Sequence, residues 1–276
     1  MTSGSPERAR IAELLGGAAL DAGLPPIGLF VKVPALEICE LVADAGFTFV
    51  VIDTEHALLS VRDVYAMVVT YSNAGVRPLV RVTDHGYGNA QRYLDAGAAG
   101  ILVPHVADAA QARQVVNQLR FPPDGTRGQG AASRAGRWGG IPVAEYRRRG
   151  REEVLRIVMI EDREGVENIE EILQVDGLSA IFIGPGDLRL SLGEGATSEE
   201  VAAMIDTAIG AAVCANVPVG TVVANPEQAR LRSDQGCDFV LAGNDTGLIG
   251  RSLRELMRTT TAALGAQPVT TSGGRS

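Results

Sequence analysis

The stretch TFVVIDTEHALLSVRDVYAMVVTYSNAGVRPLVRV (48–82) contains one complete strand–helix–strand unit. Two β-branched runs, Thr48–Asp53 and Pro78–Val82, predict strands, and the segment Val61–Asn73 between them is helix-like. Both strand runs are almost continuously apolar, which is typical of parallel strands covered on both faces. The stretch therefore predicts a β-α-β unit within a parallel sheet.

The same unit recurs on both sides of this stretch. Further strand-like runs are found at Ile27–Val33, Gly100–Val103, Arg156–Glu161, Ala180–Gly184, Val219–Val223 and Phe239–Gly243. Helix-like segments separate these runs. An alternation of strand and helix repeated eight times predicts an α/β protein with a closed (β/α)8 TIM barrel, and an open doubly wound sheet is the structural alternative.

Three regions lie outside the repeat. Residues 1–22 predict an added N-terminal helix, and we expect a single barrel domain over residues 1–265. The polar segment 266–276 is expected to be a disordered tail. The Gly-, Arg- and Pro-rich segment 121–150 contains the only tryptophan, Trp138, and the sequence does not indicate which end of the barrel it covers.

Composition limits the classes of partner. The chain has 276 residues and a formal net charge of −8, which argues against binding to nucleic acid or to an anionic membrane. Three widely spaced cysteines, the lack of a secretory signal and the lack of a transmembrane run predict a soluble, cytoplasmic protein with reduced thiols. Only one lysine, Lys32, is present.

Ionisable residues follow four of the predicted strands. They are Asp53 and His56 after the second strand, Arg81 in the third, Glu161 at the end of the fifth and Asp187 after the sixth. Any one of them has an ordinary explanation as a helix cap or an ion pair. Because the carboxyl ends of barrel strands share one rim, which is the active-site end of this fold, their coincidence predicts a catalytic site.

The chemistry of this set is coherent. Glu161 and Asp187, with water, would make an oxygen-rich site for a divalent ion such as Mg2+ or Mn2+, whereas zinc prefers more His or Cys ligands. Such an ion can chelate a 2-oxo acid and stabilise its enolate. Arg81 would add positive charge where the enolate oxygen develops, and His56, oriented by Asp53, would move the proton.

These residues lie in segments that resemble one known family. The chain is similar to the HpcH/HpaI family of metal-dependent class II pyruvate aldolases over roughly residues 28–250. The matching segments are FVVIDTEHA (49–57), RPLVRV (77–82), YLDAGAAGILVPHV (93–106), FPPDGTRGQG (121–130), VMIEDREGVENIEEIL (158–173) and GLSAIFIGPGDLRLSLG (177–193).

The resemblance implies a role for each matching residue. Glu161 and Asp187 would be the metal ligands, for Mg2+ or Mn2+ with Co2+ as an alternative. Arg81 would bind pyruvate, and His56 with Asp53 would be catalytic. The resemblance also implies an aldol reaction between pyruvate, or another 2-oxo acid, and an aldehyde, which forms or cleaves a 4-hydroxy-2-oxo acid.

Other implied roles concern the carboxylate pocket and the assembly. Backbone amides around Gly184 and Gly186 would bind the pyruvate carboxylate, with Leu188 beside them. Asp95 matches a residue that approaches the site from a neighbouring subunit, so that a homo-oligomer, a hexamer or a trimer, is implied. Where many members have Gln, this chain has Met159, which should lie beside the metal because it is two residues before Glu161 on the same strand.

Other readings stay open at this point. A Schiff-base aldolase would have to use Lys32. A related metal-enolate enzyme, such as an oxaloacetate decarboxylase or a biosynthetic enzyme that forms C–C bonds, is the closest alternative, and a non-catalytic metabolite-binding barrel is a further one. His85 and His105 are candidates for additional ligands, with His105 alternatively lining the substrate entrance. GTRGQG (125–130) lacks the spacing and the preceding strand of a dinucleotide site.

Overall fold

A computed structural model describes residues 6–16, 23–83 and 88–265 of the chain. His85 and the predicted tail 266–276 lie outside these residues. Within the described part, no helix is both long and apolar enough to cross a membrane.

The sheet is a closed barrel in which each strand pairs in parallel with the next and β8 pairs with β1. The strands are β1 Ile27–Val31, β2 Phe49–Asp53, β3 Arg77–Arg81, β4 Gly100–Val103, β5 Leu155–Ile160, β6 Ala180–Ile183, β7 Val219–Val222 and β8 Phe239–Asn244. The predicted TIM barrel is thereby confirmed, and the open sheet is excluded because β1 and β8 are hydrogen-bonded.

Helices surround the barrel. They are α1 Pro6–Gly16, α2 Leu36–Asp44, α3 Val61–Asn73, α4 Gly88–Ala96, α5 Ala109–Leu119, α6 Val143–Glu152, α7 Arg163–Glu167, α8 Ile169–Leu173, α9 Pro185–Leu192, α10 Ser198–Cys214, α11 Pro226–Asp234 and α12 Asp245–Ala263. Several helices begin at the cap residues that their sequences provide. Ser60 with Asp63, and Thr197 with Glu200, each form a capping box in which side chain and backbone satisfy each other.

The core has two parts. Outward-facing strand residues pack against the helices, and inward-facing residues fill the barrel. Ile11 and Leu15 of α1 belong to the inner cluster, together with Phe49 and Phe239, which begin β2 and β8. The N-terminal helix therefore closes the end of the barrel where the strands begin, and the opposite end stays open.

Glycines in the strands make room for the rings inside the barrel. A Cβ on Gly28 would overlap the Phe49 ring, and one on Gly220 would overlap the Phe239 ring. The two rings pack edge to face with their centroids 5.9 Å apart. Small and large residues thus alternate around the barrel, so that side chains fill its interior at the end where the strands begin.

The segment 121–150 lies at the closed end. The Arg134 guanidinium donates to the carbonyl of Ala96, and the Ala135 amide donates to that of Asp95, just before β4 begins. Trp138 and Arg137 line a surface cavity together with Ala99 and Val154, which precede β4 and β5. The long excursion therefore covers the end of the barrel opposite the strand carboxyl ends, a point that the sequence had left open.

Candidate active site

The alternation of side chains along each strand brings the polar residues together. On β2, Phe49 and Val51 face the barrel interior, and the next residue of that series is Asp53. On β5, Leu155, Ile157 and Met159 lead in the same way to Glu161. Because successive inward positions are two residues apart, each series ends with a polar group at the open rim.

A cavity of about 510 Å3 opens at this rim. Of the residues predicted for the site, those that line it are His56, Arg81, Glu161, Gly184, Gly186 and Asp187. Lys32 and Met159 line it as well. Met159 is only 2% exposed, so that an apolar side chain borders the cavity beside Glu161, where the period of the strand had placed it.

Asp53 and Arg81 form a buried, bidentate ion pair. They are aligned partners in the register of β2 and β3. The Arg81 Nε lies 2.9 Å from Asp53 Oδ1, and Nη2 lies 2.7 Å from Oδ2. Burial acts to raise the pKa of Asp53, but the Arg81 guanidinium, the His56 amide and the Lys32 ammonium outweigh it, so that the pKa of Asp53 is lowered. Arg81 is thus held rigidly with its charge at the cavity.

Asp53 acts on His56 through the backbone. Asp53 Oδ1 accepts hydrogen bonds from the backbone amides of Glu55 and His56, both at 3.2 Å. The His56 ring is half exposed, and its Nε2 lies 3.7 Å from Glu55 Oε2. Asp53 therefore fixes the turn that carries His56, while the side chain beside the ring is Glu55.

Glu55 was not singled out from the sequence, although it lies within the motif DTEH. Its Oε2 lies 2.9 Å from Arg81 Nη1, and its Oε1 lies 3.0 Å from His105 Nε2. Its side chain is only 9% exposed. Its position between the predicted aspartate and histidine was the available signal, since catalytic residues of this fold lie in the loops at the carboxyl ends of the strands.

Glu161 is the group that fits a cation best. The residue is 1% exposed, and its Oε2 has no hydrogen-bond partner among the described residues. Burial raises the pKa of Glu161, the charges of Asp187 and Glu55 add to this rise, and the His105 amide works against it. A buried carboxylate with a free oxygen beside further carboxylates needs a positive charge, which a divalent ion held also by Asp187 would provide.

The described residues contain no cluster of three or more His, Cys, Asp or Glu side chains arranged to hold a metal. A site of two carboxylates would need water to complete the shell of the ion, which hard divalent cations accept. Glu161 and Asp187 are the residues that would hold it.

The turn from β6 into α9 forms part of the cavity wall. Gly184 caps α9, Pro185 is in its first turn and Asp187 follows. A Cβ on Gly184 would lie 2.8 Å from both Cβ and Oε2 of Glu161, so that only glycine allows this close approach. A Cβ on Gly186 would meet nothing within 4 Å. The first amides of α9 point toward the cavity end of the helix, where an anion is stabilised.

Besides Asp53, which holds Arg81 from below the cavity lining, two predicted residues, Leu188 and Asp95, do not line this cavity. Leu188 is fully buried in the core between strands and helices, and its amide donates to the Gly184 carbonyl, so that neither group is available to a substrate. Asp95 lies near the end of α4 and contacts Arg127 and the Tyr146 hydroxyl, both at 3.1 Å. This position is at the closed end of the barrel, away from the cavity of its own chain.

Comparison with known proteins places the chain among aldolases. Residues 26–251 match the sequence profile of the family described as HpcH/HpaI aldolase/citrate lyase. The chain is 38% identical over 241 residues to the hydroxypyruvate/pyruvate aldolase of Deinococcus radiodurans, covering 86% of each chain. It is 36% identical over 253 residues to a 4-hydroxy-2-oxo-heptane-1,7-dioate aldolase of Escherichia coli, covering 91% of this chain and 94% of that one.

Solved structures share the fold of this chain over most of its length. The citrate synthase SbnG superposes with a TM-score of 0.81 at 29% identity, over 91% of this chain and 98% of that one. An HpcH/HpaI aldolase from Desulfitobacterium hafniense DCB-2 gives a TM-score of 0.82 at 28% identity, over 90% and 96%.

The relatives confirm the prediction that the chain is an enzyme of the aldolase type, a carbon–carbon lyase. They also confirm the resemblance that the motifs had indicated. Since the family profile covers most of the chain and the relatives are matched over nearly their whole length, the chain belongs to the HpcH/HpaI aldolase/citrate lyase family.

Proposed function

We propose that the chain is a divalent-metal-dependent aldolase that forms or cleaves 4-hydroxy-2-oxo acids through a pyruvate enolate. One observation carries the proposal: the buried, partnerless Oε2 of Glu161 lies in the same cavity as Asp187, Arg81 and His56. A carboxylate pair for a cation, a fixed guanidinium and an exposed imidazole are the groups that enolate chemistry requires.

Glu161 and Asp187 would hold the ion, and Mg2+ or Mn2+ suits their oxygen atoms, with Co2+ as an alternative. When bound, the ion supplies Lewis-acid stabilisation of the enolate.

The chain's own residues perform the remaining steps. The first amides of α9, around Gly184 and Gly186, bind the carboxylate of the 2-oxo acid. Arg81, fixed by Asp53 and Glu55, places its charge near the developing enolate oxygen. The His56 ring, half exposed at the cavity, removes or returns a proton on the reacting oxygen or carbon.

The substrates are small molecules. The relatives are named for hydroxypyruvate, pyruvate and 4-hydroxy-2-oxo-heptane-1,7-dioate. For this chain we propose pyruvate or another 2-oxo acid as the donor and an aldehyde as the acceptor. A cytoplasmic location stays a prediction from the sequence.

A homo-oligomer, a hexamer or a trimer, is the proposed working form. Asp95 lies at the closed end of its own barrel, so that it can serve a cavity only if that cavity belongs to a neighbouring subunit. Helix α12 supports an assembly because Leu253, Leu256 and Met257 are each more than 60% exposed, and a second copy of the chain would cover them.

The similarity to the citrate synthase SbnG favours one alternative. The same metal-enolate centre would then serve a biosynthetic C–C bond formation or the decarboxylation of oxaloacetate. Product analysis distinguishes these functions. An aldolase converts pyruvate plus an aldehyde to a hydroxy-oxo acid, whereas a decarboxylase releases CO2 from oxaloacetate alone.

Deuterium exchange tests the proposal before any aldehyde is known. The pyruvate methyl protons are followed by NMR in D2O, with and without Mg2+ or Mn2+. We expect metal-dependent exchange that disappears in Glu161→Ala and His56→Ala and persists in the control Glu167→Gln, an exposed acid on α7. An absence of exchange with every divalent ion would rule out a pyruvate enolate at this site.

A further inference from the structure

His105 lies where β4 leaves the barrel, two residues beyond Val103. Its φ of 55° is in the left-handed region, which is uncommon for a residue with a Cβ. Residues held in this region are often found where the surrounding structure fixes a functional geometry. The ring and the amide of His105 are both held by contacts with carboxylate side chains.

Both groups contact Glu161. The His105 backbone amide donates to Glu161 Oε1 at 2.8 Å, and the ring Nδ1 lies 3.1 Å from the same oxygen. The other oxygen, Oε2, has no hydrogen-bond partner among the described residues and lies close to Gly184 at the cavity wall. The two oxygens of this carboxylate are therefore unequal: Oε1 is occupied by His105, and Oε2 is left for a cation.

The opposite side of the ring reaches Glu55. His105 Nε2 lies 3.0 Å from Glu55 Oε1, while Glu55 Oε2 lies 2.9 Å from Arg81 Nη1. The ring thus joins the candidate metal ligand to the carboxylate that holds Arg81. Both carboxylate side chains are at most 9% exposed, whereas the His105 side chain is 55% exposed, so that water reaches these contacts from the side of the ring.

We infer that His105 is a positioning residue for the metal centre: it fixes the carboxylate of Glu161 so that Oε2 alone faces the ion. This inference rests on the proposed metal-dependent function and names a residue that acts through Glu161. A residue that orients a ligand in this way typically changes metal affinity by about 10- to 100-fold when it is removed.

Mn2+ binding to the purified full-length protein tests this role, with EPR of free Mn2+ as a readout that does not depend on turnover. We expect His105→Ala to weaken Mn2+ binding by about 10- to 100-fold. The matched control is His56→Ala, which also removes a half-exposed imidazole from the rim but leaves Glu161 untouched. It should bind Mn2+ like the wild type and lose pyruvate exchange.

A second variant covers the case in which His105→Ala folds poorly. Asparagine tolerates a positive φ and carries a side-chain donor, so that His105→Asn should keep the backbone and recover part of the affinity. In both variants pyruvate-proton exchange should recover as the Mn2+ concentration is raised, because the proposed defect is a weaker affinity for the ion and excess ion offsets it.

The outcomes separate the two proposals. A wild-type protein that binds no Mn2+ overturns the metal-dependent function itself. If the wild type binds Mn2+ and the dissociation constant changes less than twofold in both His105 variants, the positioning role alone is overturned. Loss of exchange at saturating Mn2+ with unchanged affinity also overturns it, since it would make His105 a catalytic residue.

Discussion

Gly184 shows how a single residue without a side chain shapes the candidate metal centre. A methyl group at this position would lie 2.8 Å from Oε2 of Glu161, the oxygen that we assign to the ion. We expect Gly184→Ala to displace the Glu161 carboxylate and to weaken Mn2+ binding at least about 10-fold, as for other changes that misplace a ligand. Isothermal titration with Mn2+ measures the effect.

The matched control for this prediction is two residues away. A Cβ on Gly186 would meet nothing within 4 Å, so that Gly186→Ala should bind Mn2+ within about twofold of the wild type, inside the usual scatter for a neutral surface change. Equal losses of affinity in the two variants would contradict the steric explanation.

The Asp53–Arg81 pair makes a prediction about pH. The lowered pKa of Asp53 means that its ionised form stabilises the folded state above the ordinary aspartate pKa, and that this stabilisation is lost as the pH falls through the folded-state pKa. In Arg81→Met the largest influence on Asp53 is burial, which raises its pKa. Folding would then favour the protonated form, and the variant would become less stable relative to the wild type as the pH rises.

We therefore expect the gap in unfolding free energy between wild type and Arg81→Met to be about 3 kcal/mol near pH 7.5 and to narrow toward pH 4. Urea unfolding across this range measures it. Arg120→Met is the control because both of its partners, Asp176 and Asp124, reach solvent, and its small gap should change little with pH. A difference in unfolding free energy between wild type and Arg81→Met that widens as the pH falls would contradict the prediction.

Part of this site was predictable from sequence and part was not. Asp53, Arg81 and Glu161 could be found because the inward-facing residues of a strand alternate, so that a polar residue ending an apolar series must reach the rim. The contacts of Glu55 and His105 depend on which side chains meet where three different strands end. How the strands curve around the barrel decides this, and a local stretch of sequence does not show it. Leu188 was assigned by resemblance alone, and its helix turns it into the core.

At the scale of whole elements, one carboxylate joins the first strand to the last helix. Asp245, at the start of α12, is 3% exposed, and its Oδ2 accepts the amides of Lys32 and Val33, both at 2.9 Å. These bonds hold the chain as it leaves β1, where Lys32 reaches the cavity. The contact therefore joins the residues that follow the first strand to the helix that follows the last strand.

We predict that Asp245→Ala lowers the unfolding free energy by about 2–4 kcal/mol, because the two half-buried amides of Lys32 and Val33 lose a charged acceptor. Asp245→Asn keeps one acceptor oxygen and should lose less. Chemical unfolding measures both, and Asp176→Ala, an aspartate whose side chain is 92% exposed, should cost no more than about 1 kcal/mol. Equal losses of unfolding free energy in Asp245→Ala and Asp176→Ala would contradict this account.

The elements themselves were largely predictable, and their ends were less so. The continuous apolar runs located all eight strands, since a parallel strand covered on both faces is apolar along nearly its whole length. Lys32 and Val33 were predicted in β1, yet β1 ends at Val31 because the next amides turn to Asp245 instead of a neighbouring strand. A bond to a residue more than 200 positions away cannot be inferred from a local pattern.

At the scale of the whole molecule, the position of Asp95 bears on how the protein assembles. In its own chain this carboxylate contacts Arg127 and Tyr146 at the closed end of the barrel, while the candidate site lies at the open end. Arg127 is 4% exposed and stacks on Phe121 at 4.5 Å, so that segment 121–150 fixes the surface around Asp95. If Asp95 is needed for activity, each complete site must combine two subunits.

Complementation between two inactive variants tests this arrangement. His56→Ala removes a group of the chain's own cavity, and Asp95→Asn removes the group proposed to be supplied by the neighbour. In a cyclic assembly with random mixing, co-expression of the two variants restores about one quarter of the sites, because a site is intact only when each adjoining chain supplies its unaltered residue. Pyruvate exchange per chain would then recover to about that fraction of the wild-type rate.

Co-expression of His56→Ala with Glu161→Gln is the control. Both residues lie in the cavity of one chain, so that every cavity in this mixture carries one of the two substitutions and none is repaired. Full activity of Asp95→Asn alone would show that each barrel works without its neighbour's aspartate. Recovery in the control pair would show that His56 and Glu161 do not act in one cavity of the same chain.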